Sequence, residues 1–178
     1  MSVEPPALNP TPPIEIGPFA GKIARGSFRC GEREIDRWVV DCHKDHEKLK
    51  ARVWAARVEN GSVVGLYALR IRLEPDDDIE GGGQFFRREA NHFAAVQLCY
   101  LATHWPFQRH GIGGLMTSHA IREFGHVAAK TGICALTLVA INEEKAAWYK
   151  KLGFRQYGAD CAQPKLFLPA QSAIEMIG

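Results

Sequence analysis

Residues 108–114 read Gln108-Arg109-His110-Gly111-Ile112-Gly113-Gly114. They stand between an almost continuously apolar run, Phe93 to Thr103, and a segment where Ile112, Leu115, Met116, Ala120, Phe124, Val127 and Ala128 recur at three- and four-residue steps. The apolar run has the character of a central strand covered on both faces, and the periodic segment that of an amphipathic helix ended by Gly132. A glycine-rich turn therefore joins a buried strand to the longest helix. A helix N-terminus offers N–H groups without intrahelical partners and about half a unit of positive charge, and glycines let a phosphate approach that backbone. The same glycines also suit a turn that serves close packing alone. Two familiar phosphate motifs are excluded: no Gly-Lys-Ser/Thr ending marks a P-loop, and no G-x-G-x-x-G precedes a ribose-binding acid.

Outward from this turn, the order is strand and helix in alternation, which predicts an α/β (mixed α+β) protein. Toward the C-terminus, Ile133 to Ile141 reads as a second buried strand, and Asn142 as the N-cap of a short helix that runs through Leu152 and stops at Gly153. Lys165 to Leu168, before Pro169, completes the strands, and the stretch from Ala170 onward is too short to assign. Toward the N-terminus, residues 52–58 and 63–72 are rich in β-branched and aromatic side chains around Glu59-Asn60-Gly61-Ser62, which predicts a hairpin. Ile35, Trp38, Val39 and Cys42 give a helix opening at Glu32. The polar stretch that follows, residues 41–50, is either a second solvated helix or a helical tail. Between Glu74 and His92 the runs Asp76-Asp77-Asp78 and Gly81-Gly82-Gly83 predict one long loop. Residues 1–13 carry five prolines and read as a disordered lead-in, with residues 14–178 as a single domain.

The chain has 178 residues, 46% of them apolar, enough for one buried core. Its 22 Lys and Arg against 20 Asp and Glu leave a net charge of +2, which excludes a strongly basic nucleic-acid wrapper and an acidic disordered chain. Neither a membrane-spanning run nor a secretory signal is visible, so the cytoplasm is expected. The five cysteines are odd in number and form no C-x-x-C pair, so neither a disulfide framework nor a zinc site is expected. His43 and His46 have a metal-like i, i+3 spacing, but a solvated polar face explains them better. No metal is assigned.

Gln108, Gly111 and Gly113 match the Q-x-x-G-x-G turn of the GNAT N-acetyltransferases. Asn142 to Phe154 is similar to that family's N-x-x-A-x-x-x-Y-x-x-x-G-F signature, with Ala146 or Ala147 as the alanine. Phe28-Arg29-Cys30-Gly31, Ile35-Asp36-x-Trp38, Val64 to Leu69 and Leu101-Ala102 look like the toxin branch of GNAT. The resemblance implies a splayed mixed sheet flanked by helices, with acetyl-CoA in the split. It further implies acetylation of the α-amine of aminoacyl-tRNA, which would block translation, and neutralisation by a ribbon-helix-helix antitoxin. Tyr100 stands where that branch usually has Arg, His104 where it usually has Asp, and Gly114 where a basic residue is common. Two alternatives therefore stay open: a GNAT enzyme acting on a small amine or protein N-terminus, and a non-catalytic acetyl-CoA-binding module. A homodimer is also left open.

For the chemistry, the resemblance assigns cofactor contacts to Leu101, Ala102 and Thr103, as strand-end backbone pairing with pantetheine. It assigns others to Gln108, Arg109, His110, Gly111, Ile112, Gly113 and Gly114 at the diphosphate. Asn142 has two compatible roles, N-cap and polar group facing pantetheine. Spacing alone places Tyr149 on a buried stripe beside Ala146 and Leu152; the resemblance makes it the general acid that protonates the departing thiolate. A Schellman-type end at Gly153 would bring Phe154 back against that turn. No side chain identifies itself as a base for the amine, and deprotonation through water is left open. His119 and His126 read as packing or surface groups. Residues 101–168 hold eight basic and four acidic side chains. Among them Lys150, Lys151, Arg155 and Lys165, with Arg87-Arg88, form a candidate surface for an RNA backbone, although Lys150 and Lys151 equally suit a helix C-terminus.

Overall fold

The computed structural model describes residues 13–75, 92–159 and 161–178. Its elements follow the chain as β1 (Glu15–Pro18), α1 (Arg33–Glu47), β2 (Arg52–Arg57), β3 (Val63–Pro75), β4 (His92–Thr103), α2 (Ile112–Thr131), β5 (Ala135–Val139), α3 (Glu143–Lys151), β6 (Arg155–Tyr157), β7 (Lys165–Pro169) and α4 (Ala170–Glu175). A 3₁₀ turn, Trp105–Phe107, follows β4. The lead-in (except Pro13), the centre of the predicted long loop and Arg87-Arg88 lie outside the described residues.

The strands form a seven-stranded sheet in the order β1-β2-β3-β4-β5-β7-β6. The β2–β3 hairpin and the β3–β4 pair are antiparallel, and β3 and β4 are joined over a long register from Gly65↔Thr103 to Pro75↔His92. One pairing departs from this pattern. β4 and β5 are parallel and meet only at Ala95↔Ala135, Val96↔Leu136 and Gln97↔Thr137. Beyond Gln97, β4 continues for six residues to Thr103 on the β3 side alone. At the point of divergence the register shifts: Ala68 pairs with Tyr100 and Leu69 with Leu98, so Cys99 is the extra residue of a β-bulge. Its Sγ donates to the Ala68 carbonyl at 3.4 Å. The mixed sheet is thus split between β4 and β5.

Of three buried clusters, the two larger hold the sheet from opposite faces. On one, α2 buries Ile112, Met116, Ala120, Phe124 and Ala128 against Tyr67, Val96, Leu98, Leu136 and Leu138. On the other, α1 buries Trp38, Val39 and Cys42 against Val53, Leu66 and Ala68. Burying each of the large apolar side chains contributes about 1.5–3 kcal/mol.

The structure decides one alternative left open by the sequence and adds three short elements. The polar stretch after Asp41 is the tail of α1 and no second helix. It is also not wholly a solvated face: His43 is buried with α1's apolar stripe, and the backbone N–H of Val53 donates to His46 Nδ1 at 3.1 Å. The short strands β1 and β6 and the helix α4 were not anticipated. No group of three or more metal-ligating side chains occurs among the described residues, and none of their helices is long and apolar enough to cross a membrane.

Candidate active site

The split in the sheet opens a cavity of about 630 Å³. Leu98 to Leu101 and Thr103 of β4 form one wall, Leu138 to Ile141 at the end of β5 the other, and the turn before α2 closes one end. α3 contributes Glu144, Lys145, Trp148 and Tyr149, and the start of α1 contributes Glu32 and Ile35.

The turn is shaped by two left-handed residues, Arg109 (φ 64°) and Gly111 (φ 78°). A Cβ on Gly111 would meet nothing within 4 Å, so glycine is favoured there by backbone angle and not by space. Gly111 is the N-cap of α2 and no side chain caps the helix, so the N–H groups of Ile112, Gly113 and Gly114 lack intrahelical partners. Leu115 N is the first to bond, to the Gly111 carbonyl at 3.1 Å. A Cβ on Gly114 would also stand in open space, and one on Gly113 would only touch Leu101 and Thr103 at 3.9 Å. This is a cradle of amides, open at glycines that line the cavity, beside the Arg109 side chain. It fits a diphosphate in charge and in reach.

Gln108 also lines the cavity, but its amide nitrogen is committed elsewhere, donating to the Cys30 carbonyl at 2.7 Å and the Thr103 carbonyl at 3.1 Å. It ties the turn to the end of β4 and to the loop before α1. That loop is fixed from several sides. Phe28 is buried and stacks on His104 at 5.1 Å; the Arg29 N–H donates to His104 Nδ1 at 3.1 Å; and the Cys30 N–H donates to the Asp36 carboxylate at 2.6 Å. Burial raises the Asp36 pKa, but hydrogen bonds from Cys30 and Gly31 outweigh it and hold the carboxyl below its ordinary range. His104 thus still supplies an acceptor where the resembling branch has a carboxylate. Tyr100 stacks on Trp38 at 4.2 Å, and the Trp38 indole N–H donates to Asp45 at 3.3 Å.

Tyr149 is 9% exposed and lines the cavity. α3 ends in a Schellman motif: Phe154 N bonds the Tyr149 carbonyl, Gly153 N bonds that of Lys150, and Gly153 takes φ 96°. The Phe154 ring meets the Tyr149 ring edge-on at 5.6 Å, and Trp148 meets it at 4.8 Å. Burial pushes the phenol pKa above its ordinary value, so the hydroxyl keeps its proton throughout the neutral range.

Of the sequence candidates, the structure brings Leu101, Thr103, Gln108, Arg109, Gly111, Ile112, Gly113, Gly114 and Tyr149 to one cavity. Three are absent from its wall. Ala102 turns its side chain into the α1-side core. His110 is exposed and its Nδ1 donates back to the Gln108 carbonyl at 2.8 Å. Asn142 accepts from Lys145 N at 2.9 Å as the cap of α3. Lys150, Lys151, Arg155 and Lys165 do not line the cavity either. Lys150 donates to Gln156, Lys165 lies 6.0 Å over the Tyr157 ring, and the group sits along the β6–β7 edge and the end of α3. The wall residues missed by sequence include Ile35 and Trp148, on helices whose inward faces are set only by tertiary packing, and Glu32, the N-cap of α1.

An acetyltransferase (GNAT) domain model matches residues 50–156. No curated protein matches the chain. Among solved structures, a tyrosine-to-phenylalanine mutant of KacT is 23% identical with a TM-score of 0.82, covering 92% of this chain and 98% of that one. AtaT complexed with acetyl-methionyl-tRNAfMet is 21% identical with a TM-score of 0.79, covering 93% and 100%. An AtaT mutant toxin bound to the C-terminus of the antitoxin AtaR and acetyl-CoA is 22% identical with a TM-score of 0.74, covering 92% and 97%. At these identities the likeness establishes a shared fold. The family match over more than half of the sequence, on a sheet split at β4–β5 with an uncapped glycine turn beside it, makes this chain a member of the GNAT acetyltransferase family.

Proposed function

We propose that residues 14–178 form one acetyltransferase domain that moves the acetyl group of acetyl-CoA to the α-amine of aminoacyl-tRNA, blocking translation. The observation that carries this is the open amide cradle of Ile112 to Gly114 at one end of a cavity that has Tyr149 in its wall. It is supported by neighbours of the same fold whose structures hold acetyl-CoA and acetyl-methionyl-tRNAfMet.

In this reading the α2 amides and Arg109 bind the diphosphate, and the free edge of β4 beyond Gln97 pairs with the pantetheine amides as an added strand would. The acceptor nitrogen attacks the thioester carbonyl: an N–C bond forms, the C–S bond breaks and its electron pair goes to sulfur. Tyr149 gives its phenolic proton to that sulfur. The nitrogen loses two protons in passing from ammonium to amide; one restores the phenol and one is released to solvent. Positioning of both substrates in the split supplies much of the remaining acceleration.

Lys150, Lys151, Arg155 and Lys165 offer phosphate contacts along the β6–β7 edge, and Arg109 and Lys145 carry positive charge into the cavity itself. The partner is an antitoxin of the ribbon-helix-helix type, a reading supported by neighbours bound to an antitoxin C-terminus and, for KacTA, to DNA. Incubating the purified chain with labelled acetyl-CoA and bulk charged tRNA tests the activity. Label in acid-precipitable tRNA that is lost on deacylation supports it; no transfer refutes it.

A further inference from the structure

The cavity passes through the sheet. Leu101, Ile112, Leu138 and Tyr149 belong to the core on the α2 side, whereas Cys30, Ile35, Cys99 and Tyr100 pack with the core on the α1 side. The two ends differ in charge. The α2 turn and α3 bring Arg109, Lys145 and the positive pole of α2 to the first. Glu144 is also there, in the first turn of α3. At the α1-side mouth the charged side chain is Glu32. Burial raises the thiol of Cys30 to about 12 and that of Cys99 to about 11, and raises the Tyr100 phenol, so these neighbours are neutral at physiological pH.

Glu32 is placed as if for a ligand. It is the N-cap residue of α1, yet its side chain makes no capping hydrogen bond. Neither ion pair among the described residues involves it. Its backbone carbonyl, by contrast, is tied down by Asp36 N at 2.8 Å, so the carboxylate is carried on a fixed backbone at the rim of the mouth.

We propose that Glu32 is the recognition residue for the acceptor's α-ammonium group, and that Ile35, Cys99 and Tyr100 form the adjoining seat for its side chain, which selects apolar aminoacyl groups over acidic ones. The inference rests on the aminoacyl acceptor proposed above and adds which acceptors are taken. An α-amine has an ordinary pKa of about 7.7–8.0 and arrives largely protonated at neutral pH. The carboxylate holds it by a charge-assisted hydrogen bond until the nitrogen gives up a proton to solvent and its lone pair attacks. An acidic side chain in the same seat would face the Glu32 charge, because Arg29 and Arg70, the cations near that wall, already stand against Asp36, Asp45 and Glu34.

The test is steady-state acetylation by the wild type and by Glu32→Gln, Glu32→Asp and Glu59→Gln, using leucyl-tRNA, aspartyl-tRNA and leucinamide as acceptors. Calorimetry with CoA serves as the check on folding. We expect Glu32→Gln to raise KM for leucyl-tRNA about tenfold or more with CoA affinity unchanged, and to shift the acid limb of the kcat profile to lower pH because the bound ammonium loses its stabilising anion. We expect Glu32→Asp to recover most of the loss, Glu59→Gln, in the exposed β2–β3 turn, to have no effect on KM, and the wild type to prefer leucyl over aspartyl acceptors. Glu32→Gln within twofold of wild type in KM, with an unmoved pH profile, overturns the proposal and leaves tRNA acetylation standing. Acetylation of leucinamide with the Glu32 dependence, but of no charged tRNA, upholds the ammonium site and overturns the tRNA reading. Failure of every acceptor while CoA binds overturns both.

Discussion

Replacing Tyr149 by Phe removes one oxygen from the cavity wall and little else. The ring is 9% exposed and is held edge-on by Trp148 at 4.8 Å and Phe154 at 5.6 Å, contacts that the phenylalanine ring keeps. No hydrogen bond holds the hydroxyl among the described residues, so its removal leaves no polar group stranded and should cost less than about 1.5 kcal/mol of stability. The chemical step fares differently. Burial raises the phenol pKa, keeping the proton in place until a thiolate develops beside it. Without that proton the sulfur must leave as the anion, and loss of an acid catalyst lowers turnover by about tenfold or more, equivalent to at least about 1.4 kcal/mol in the barrier. Single-turnover transfer of labelled acetyl groups measures the rate, and calorimetry with acetyl-CoA and thermal unfolding control for binding and folding. Unchanged turnover with intact binding would refute the acid role; a loss of rate matched by a loss of acetyl-CoA affinity would make Tyr149 a binding residue instead.

Asn142→Ala should lower stability by about 1 kcal/mol through the lost cap, about 2–4 °C in Tm for a domain of this size, and leave CoA affinity unchanged because Asn142 is not on the cavity wall. Burial lowers the pKa of His119, whose Nδ1 lies 2.7 Å from the Tyr67 hydroxyl. Its folded-state pKa lies below the unfolded value near 6.5, so its contribution is present above that pH and is lost as pH falls through the folded pKa. Unfolding at pH 7.5, 6.5 and 5.5 should show a fall that is shallower in His119→Gln; an identical slope would remove His119 as its source. Binding of tRNA should weaken steeply between 50 and 200 mM salt, as phosphate contacts require, and a flat salt response in a filter-binding assay would contradict the role of the β6–β7 basic edge.

Much of this site is legible in the sequence because helix periodicity and glycine placement are local properties. The three- and four-residue spacing after Gly111 gives α2, and Gly153 gives both the end of α3 and the return of Phe154 onto Tyr149. The split itself is not legible. The extra residue Cys99 leaves no mark in an apolar run, and the end of β4–β5 pairing at Gln97 is a fact of tertiary structure. β1 and β6 escape because Glu15–Pro18 and Arg155–Tyr157 are short sheet-margin segments with mixed polarity, stabilised by their neighbours and not by their own pattern. His43 misled for the opposite reason: polar neighbours in the sequence hid its position on the stripe that continues Val39 and Cys42. Gln108 matched a cofactor motif and lines the cavity, while its amide spends both donors on Cys30 and Thr103, a tertiary tie that the motif does not show.

The most direct test is to follow backbone amide resonances while CoA is titrated into the chain. Saturable shifts at Gly111, Ile112, Gly113 and Gly114, reproduced by adenosine 5′-diphosphate and absent with pantetheine, are the predicted result. Unmoved amides at saturating CoA, or shifts that pantetheine reproduces in full, would contradict diphosphate binding at the start of α2.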